Sequence, residues 1–151
     1  MNQEDYVKVY LDVCCLCRPF DDQAIGRVRL EVTAVQEILR RCAMQEFTMI
    51  TSEAITEELS KIPDINKRLR VEKITLAAKE HILIDKRIIS RMHELIALGG
   101  DAMDSLHIAC AGRADAVFLT TDDDLITFFK LHQNILVHIE NPVTWLKEEN
   151  R

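Results

Sequence analysis

A chain of 151 residues that is 48% hydrophobic is the size of one ordinary domain and can bury a core without covalent staples. The net charge of −6, from 25 acidic and 19 basic residues, argues against indiscriminate binding of polyanions by the molecule as a whole. No apolar run is long enough to cross a bilayer, and the opening MNQEDYVKVY lacks the basic-then-apolar order of a secretory signal, so the expectation is a cytoplasmic chain with no membrane partner. Its five cysteines, Cys14, Cys15, Cys17, Cys42 and Cys110, are an odd number with no export signal and are read as reduced. Cys14 and Cys17 form a C-x-x-C, but no further zinc ligands stand at suitable spacing, so these thiols are read as small packed hydrophobes.

Taken in chain order, YVKVYLDV alternates and is rich in Val and Tyr, which predicts a first strand ending near Asp12. CRPFDDQ reads as a polar turn. Apolar residues at Val28, Val32, Val35, Ile38, Leu39 and Cys42 predict a long helix over 27–46, and FTMIT a short second strand. TSEAITEELSKI predicts a helix capped by Ser52 and stopped by Pro63, and Asp64 opens another through INKRLRVEKITLAAKE. HILI is a third strand. Ile88, Ile89, Met92, Leu95 and Ile96 share one face of a helix over 86–98 that Gly99-Gly100 ends. DAMDSLHIACAGR, 101–113, is a nearly apolar helix and therefore largely buried, and AVFLT is an uninterrupted apolar strand of the kind covered on both faces. A helix over 123–132, a last strand ILVHI and a closing helix NPVTWLKEE with Pro142 in its first turn complete the chain. The alternation of strands and helices predicts an α/β fold, a single three-layer α/β/α domain over 1–151 with a mostly parallel central sheet.

Open α/β sheets gather functional groups just beyond the carboxyl ends of their strands. Asp12 follows the first strand, Asp122 follows VFLT, Asp124 lies just beyond it, and Asp104 starts the apolar helix that precedes this strand. VFLTTDDDLITFF poses a choice for its three acids: capping the next helix at the positive end of its dipole, or converging on a metal with acids from elsewhere. Carboxylates crowded into one pocket raise one another's pKa unless a divalent cation neutralises them. Mg²⁺ or Mn²⁺ suits oxygen ligands, and a metal-held water beside a phosphoryl oxygen is the chemistry of phosphodiester hydrolysis.

VYLDVCCLCRPFDDQ, TSEAITEELSKIPD, DAMDSLHIACAGRADAVFLTTDDDLI and VHIENPVTWLKE, in this order and along nearly the whole chain, resemble the PIN-domain family of metal-dependent nucleases. The resemblance implies a PIN-like fold and a Mg²⁺- or Mn²⁺-dependent ribonuclease acting on single-stranded RNA. Its catalytic acids fall on Asp12, Glu58, Asp104 and Asp122, with Asp12, Asp104, Asp122 and auxiliary Asp124 as metal residues and Glu58 on the attacking water. Glu57 and Glu53 compete for the position of Glu58, which borders the apolar stripe marked by Ile55 and Leu59. His107, one turn after Asp104, is read as a hydrogen-bonded core residue outside the metal set. Cys17 stands where related sequences often carry Asn, which removes any polar contact made there.

The family includes toxins held silent by a partner, so an antitoxin protein is an implied partner, and a homodimer is left open. An acidic protein that cleaves RNA needs a local basic surface for the flanking phosphates, and Lys67 and Arg70, with Lys73 next, are the expected contacts, joined by Arg18. The alternative is a PIN fold kept as a protein- or RNA-binding module with little or no hydrolysis. Two other acid-bearing α/β classes fit poorly. A phosphoacceptor receiver needs adjacent acids after its first strand, and a haloacid-dehalogenase phosphatase needs D-x-D where Asp12-Val13-Cys14 stands.

Overall fold

A computed structural model describes residues 6–132 and 135–151. The first five residues of the stretch read for a signal, and the two residues before ILVHI, lie outside the described residues. Five strands form the sheet: β1 (Val7–Leu11), β2 (Phe47–Ser52), β3 (Glu80–Ile82), β4 (Val117–Leu119) and β5 (Ile139–Glu140). Their order is β3-β2-β1-β4-β5, with every pairing parallel. Eight α-helices accompany them among the described residues: α1 (Val13–Cys17), α2 (Gly26–Ala43), α3 (Glu53–Leu59), α4 (Ile65–Thr75), α5 (Lys86–Ala97), α6 (Ala102–Arg113), α7 (Asp123–Lys130) and α8 (Pro142–Glu149). The architecture is a three-layer α/β/α sandwich, as the alternation of elements predicts.

The two faces of the sheet separate by residue parity. Tyr10, in register with Ile50 and Phe118, stacks on Phe118 at 5.5 Å and meets the edge of the His107 ring of α6. Phe47, in register with Val7, points to the other layer and packs on Trp145 of α8 at 5.1 Å. Val9, Tyr10 and Leu11 are all buried, so β1 is covered on both sides, which is what a parallel strand between two helical layers requires. α2 packs on β2 and α8, while α6 packs on β2, β4, α3 and α5.

Local signals set most boundaries. Ser52, Asp64, Asp85, Asp101, Asp122 and Asn141 cap their helices through side-chain oxygens. Gly99, at φ 105°, takes the left-handed conformation that ends α5, and the Gly100 N–H bonds back to the Leu95 carbonyl. Three expectations shift. The segment expected as a turn after the first strand is instead α1 followed by a 3-10 turn at Arg18–Phe20, because Asp12 caps a short helix that buries Val13, Cys15 and Leu16. α4 stops at Thr75, since Glu80 is already paired in β3. ILVHI contributes only Ile139 to β5, because β4 offers this edge strand just Phe118 and Leu119 as partners.

A buried carboxylate ties the start of α2 to the sheet. Glu31, 1% exposed, accepts from Arg18 at 2.8 Å, from Arg27 at 3.3 Å and from the Asn141 amide at 2.7 Å. Removing it takes one partner from Arg18 and from Arg27, which keep Asp21 and Asp123, and leaves the Asn141 amide unmatched, so Glu31→Ala is expected to cost about 2 kcal/mol, or a melting-temperature loss of about 6 °C in calorimetry.

Candidate active site

The carboxyl ends of β1 and β4 meet at Asp12. Its backbone N–H donates to the Leu119 carbonyl at 2.9 Å, extending the β1–β4 ladder by one bond. Its carboxylate takes the Val13 N–H on Oδ1 at 2.8 Å and the Thr120 hydroxyl on Oδ2 at 2.8 Å, with the Cys14 thiol donating to Oδ2 at 3.4 Å. Asp12 is 7% exposed. Burial pushes its carboxyl above the usual range; the His107 ring and the Thr120 and Cys14 hydrogen bonds pull it back, and the neighbouring Glu58 pushes it further up.

α3 supplies the second acid. Ser52 caps this helix by accepting the Ile55 N–H, which turns Ala54, Ile55 and Leu59 into the core and leaves Glu58 at the edge of that stripe. Glu58 Oε1 lies 3.0 Å from His107 Nε2. Of its competitors, Glu53 accepts the Ile84 N–H at 2.7 Å and Glu57 is solvent-exposed, 3.9 Å from Lys61. Glu58 alone of the three is thus brought to Asp12. One ligating atom each from Asp12, Glu58 and His107 lie within 4.8 Å of one another.

Asp104 and Asp122 stand outside that close trio. Asp104 occupies the first turn of α6, placed by Asp101, whose Oδ2 takes the Asp104 N–H at 3.1 Å. Its carboxyl is pushed up to about 6, first by burial, then by Asp101, Asp12 and Asp122. Three acids therefore face Asp104, and only the His107 ring opposes them. Asp122 caps α7, with Oδ1 accepting the Asp124 and Leu125 N–H groups at 3.1 Å. The choice posed by the three consecutive acids has a divided answer. Asp122 caps the helix and also faces Asp104; Asp123 is held by Arg27 in a bidentate pair at 2.6 and 2.8 Å; Asp124 is exposed.

The basic candidates also separate. Both ends of the Arg18 guanidinium are occupied, by Glu31 at 2.8 Å and Asp21 at 3.0 Å, which makes it a brace for the loop after α1 rather than an open phosphate contact. Lys67 is half-buried on α4, close enough to lower the Cys17 thiol that burial raises. Arg70 and Lys73 are exposed, and Arg68 lies 3.6 Å from Glu72. Sequence reasoning missed Thr120, Cys14 and Asp101 as supports of the acids. The only available signals were the hydroxyl preceding Asp122 by two residues and an acid three residues before Asp104, both ordinary capping patterns.

No protein-family model matches the chain, and neither does any curated protein. Solved structures do. FitAcB from Neisseria gonorrhoeae superposes with a TM-score of 0.59 at 15% identity, over 89% of this chain and 97% of that one. VapBC2 from Rickettsia felis, bound to a DNA fragment from their promoter, gives 0.58 at 17% identity over 89% and 98%. PAE2754 from Pyrobaculum aerophilum gives 0.55 at 12% identity over 96% and 91%. The fold is PIN-like. At such identities this likeness speaks for the fold, and the chemistry has to come from the side chains. In this PIN-like frame Asp12 lies beside Glu58, and Asp104 faces Asp12 and Asp122, near the carboxyl ends of β1 and β4.

The Asp104 carboxyl carries a pH dependence with a definite sign. Its ordinary value is 3.8 and its folded value is about 6, so its deprotonation disfavours the fold and stability falls as pH rises through that interval. In EDTA at pH 7, Asp104→Asn should therefore be more stable than the wild type by about 1–2 kcal/mol, a full two-unit shift being reduced for partial exposure. The gain should vanish near pH 4 in thermal melts taken across the range.

Proposed function

We propose that this chain is a Mg²⁺- or Mn²⁺-dependent ribonuclease that hydrolyses phosphodiester bonds in single-stranded RNA. The observation that carries the reading is the half-buried Asp104, raised by burial and then by Asp101, Asp12 and Asp122, beside the buried Asp12 that Glu58 approaches. Carboxylates held this close at a cost are relieved by a cation, and their donor set is hard oxygen, which fits Mg²⁺ or Mn²⁺. Asp12, Asp104 and Asp122 would hold the ion, with Asp124 at the exposed rim. When bound, such an ion lowers the pKa of a water and neutralises charge on the phosphoryl group.

The remaining work falls to the chain's own residues. Glu58, at the margin of the pocket with one oxygen facing the His107 ring, orients the attacking water and accepts its proton. Thr120 and the Val13 N–H keep the Asp12 carboxylate fixed. With an overall charge of −6, flanking phosphates need local cations, and Lys67 and Arg70 on α4 supply them. The motif resemblance to PIN toxins supports an antitoxin protein as the partner that holds the activity silent, in a cytoplasmic setting. Among the described residues no helix is long and apolar enough to cross a membrane.

Replacing Asp12 by Asn keeps its shape and removes its charge. Cleavage of a single-stranded RNA in Mn²⁺ should drop by about 100-fold or more, on the scale of losing a principal catalytic group; a variant as fast as wild type would end the assignment. The competing reading, a binding module with a decayed site, predicts that calorimetric titration with Mn²⁺ gives no carboxylate-dependent heat.

Neutralising Lys67 and Arg70 together should flatten the salt dependence of RNA affinity, lowering the slope of log K against log[salt] by roughly 0.7 for each phosphate that is no longer neutralised. Mn²⁺ binding should be untouched. An unchanged slope would return α4 to a plain solvated surface.

A further inference from the structure

His107 is wholly buried, on a helix whose buried face is otherwise mostly apolar, and both of its ring nitrogens are engaged. Nδ1 lies 2.7 Å from the Tyr10 hydroxyl and Nε2 lies 3.0 Å from Glu58 Oε1. The Tyr10 hydroxyl in turn lies 2.6 Å from Ser52 Oγ, and Ser52 Oγ accepts the Ile55 N–H as the cap of α3. A continuous file of polar atoms thus runs Ser52, Tyr10, His107, Glu58. It begins at the first residue before α3 and returns to that same helix at Glu58, passing through β1 and α6.

The ends of the file set the direction of every bond in it. An ionised carboxylate only accepts, so Nε2 must carry the hydrogen that faces Glu58. In the neutral ring Nδ1 is then the acceptor, and the Tyr10 hydroxyl must donate to it. The Tyr10 oxygen is left to accept from Ser52, whose own oxygen has already taken the Ile55 N–H. No member of the chain competes with its neighbour for the same role, and each buried polar atom in it is matched.

We propose that His107 is a positioning residue: the Ser52–Tyr10 hydroxyl chain locks its ring with the hydrogen on Nε2, and that hydrogen holds the Glu58 carboxylate toward Asp12. This rests on the ribonuclease reading for its consequence in catalysis, but not for the hydrogen-bond arrangement itself. It also decides the membership of the compact trio of Asp12, Glu58 and His107. A nitrogen that carries a hydrogen toward a carboxylate has no lone pair for a cation, so His107 orients the acid assigned to the attacking water and is not itself a ligand. Groups that hold a site residue in this way commonly change activity by about 10–100-fold when removed.

The arrangement makes opposite demands on two conservative replacements. Gln is long enough to put its amide nitrogen where Nε2 lies and its carbonyl oxygen where it can accept from Tyr10, whereas Asn ends near Nδ1 and cannot reach Glu58. The first experiment is two-bond ¹H–¹⁵N correlation NMR on the full chain labelled at histidine, without metal and at neutral pH. The expected pattern for His107 is a protonated Nε2 and a bare Nδ1; a protonated Nδ1 with a bare Nε2 would overturn the proposal.

The second is calorimetric titration with Mn²⁺, paired with RNA cleavage. Mn²⁺ affinity should stay within about threefold of wild type in both His107→Gln and His107→Asn, since the ion rests on Asp12, Asp104 and Asp122, while kcat should fall about tenfold or more for His107→Asn alone. In cleavage, kcat should fall for Asn and recover for Gln with KM little changed, a separation that loss of packing alone would not produce. Equal losses in both variants, or none in either, would overturn the role. If His107→Asn fails to fold, Tyr10→Phe serves in its place, keeping the ring contacts while removing the donor to Nδ1. Its kcat is expected to fall, and an unchanged value would exclude the hydroxyl chain from the mechanism. A wild type that neither binds Mn²⁺ nor cleaves RNA would defeat the ribonuclease reading, and the NMR pattern would still decide how His107 is held.

Discussion

Asp12 gives its backbone to the sheet and its side chain to the site. The N–H that bonds the Leu119 carbonyl prolongs the β1–β4 pairing, and the carboxylate of the same residue takes the Thr120 hydroxyl from the chain that leaves β4. The strand order β3-β2-β1-β4-β5 puts the change of winding direction between β1 and β4, where parallel α/β sheets open a crevice at their carboxyl edge. Because Asp12 sits in that crevice and is almost fully covered, its carboxylate is raised by burial and then by Glu58, against the pull of the His107 ring and of the Thr120 and Cys14 hydrogen bonds. Burial and Asp101 raise Asp104 first, and Asp12, placed by this backbone bond, raises it further.

The acids remain crowded because surrounding bonds hold them individually. Val13, Thr120 and Cys14 fix Asp12; the Asp101 cap places Asp104; the α7 cap places Asp122; and the buried His107 ring faces Glu58. On the neighbouring side, Glu31 gathers Arg18, Arg27 and Asn141, and Arg27 also takes Asp123. That network removes Arg18 from the open surface and Asp123 from the acidic group. Positive charge serves as a brace beside the site, while on α4 Arg70 and Lys73 are exposed.

Much of this was legible in linear sequence where a local rule was strong. The Ser52 and Asp64 caps, the Gly99-Gly100 stop and Pro142 at the start of α8 all fall where short-range chemistry places them. α1 was not legible, since VCCLC is too short to show helical periodicity and its formation depends on the Asp12 carboxylate meeting the Val13 N–H. β5 was overextended because an apolar run reads the same whether or not a neighbour is there to pair with it, and β4 reaches only Phe118 and Leu119.

The sequence by itself determined the α/β order, the burial of the α6 segment and the placement of Asp12 and Asp122 at strand ends, because periodicity and chain order are local properties. Which acid of TSEAITEEL would face Asp12 was not a local property, and neither was the fate of each carboxylate in TTDDD. Only tertiary structure decided these. Glu58 prevailed over Glu53 and Glu57 because α3 presents it to the buried His107 ring, and Asp123 left the group because α2 carries Arg27 across to it. Those partners lie far away in sequence, and the folding of the sheet is what brings them within a hydrogen bond's length.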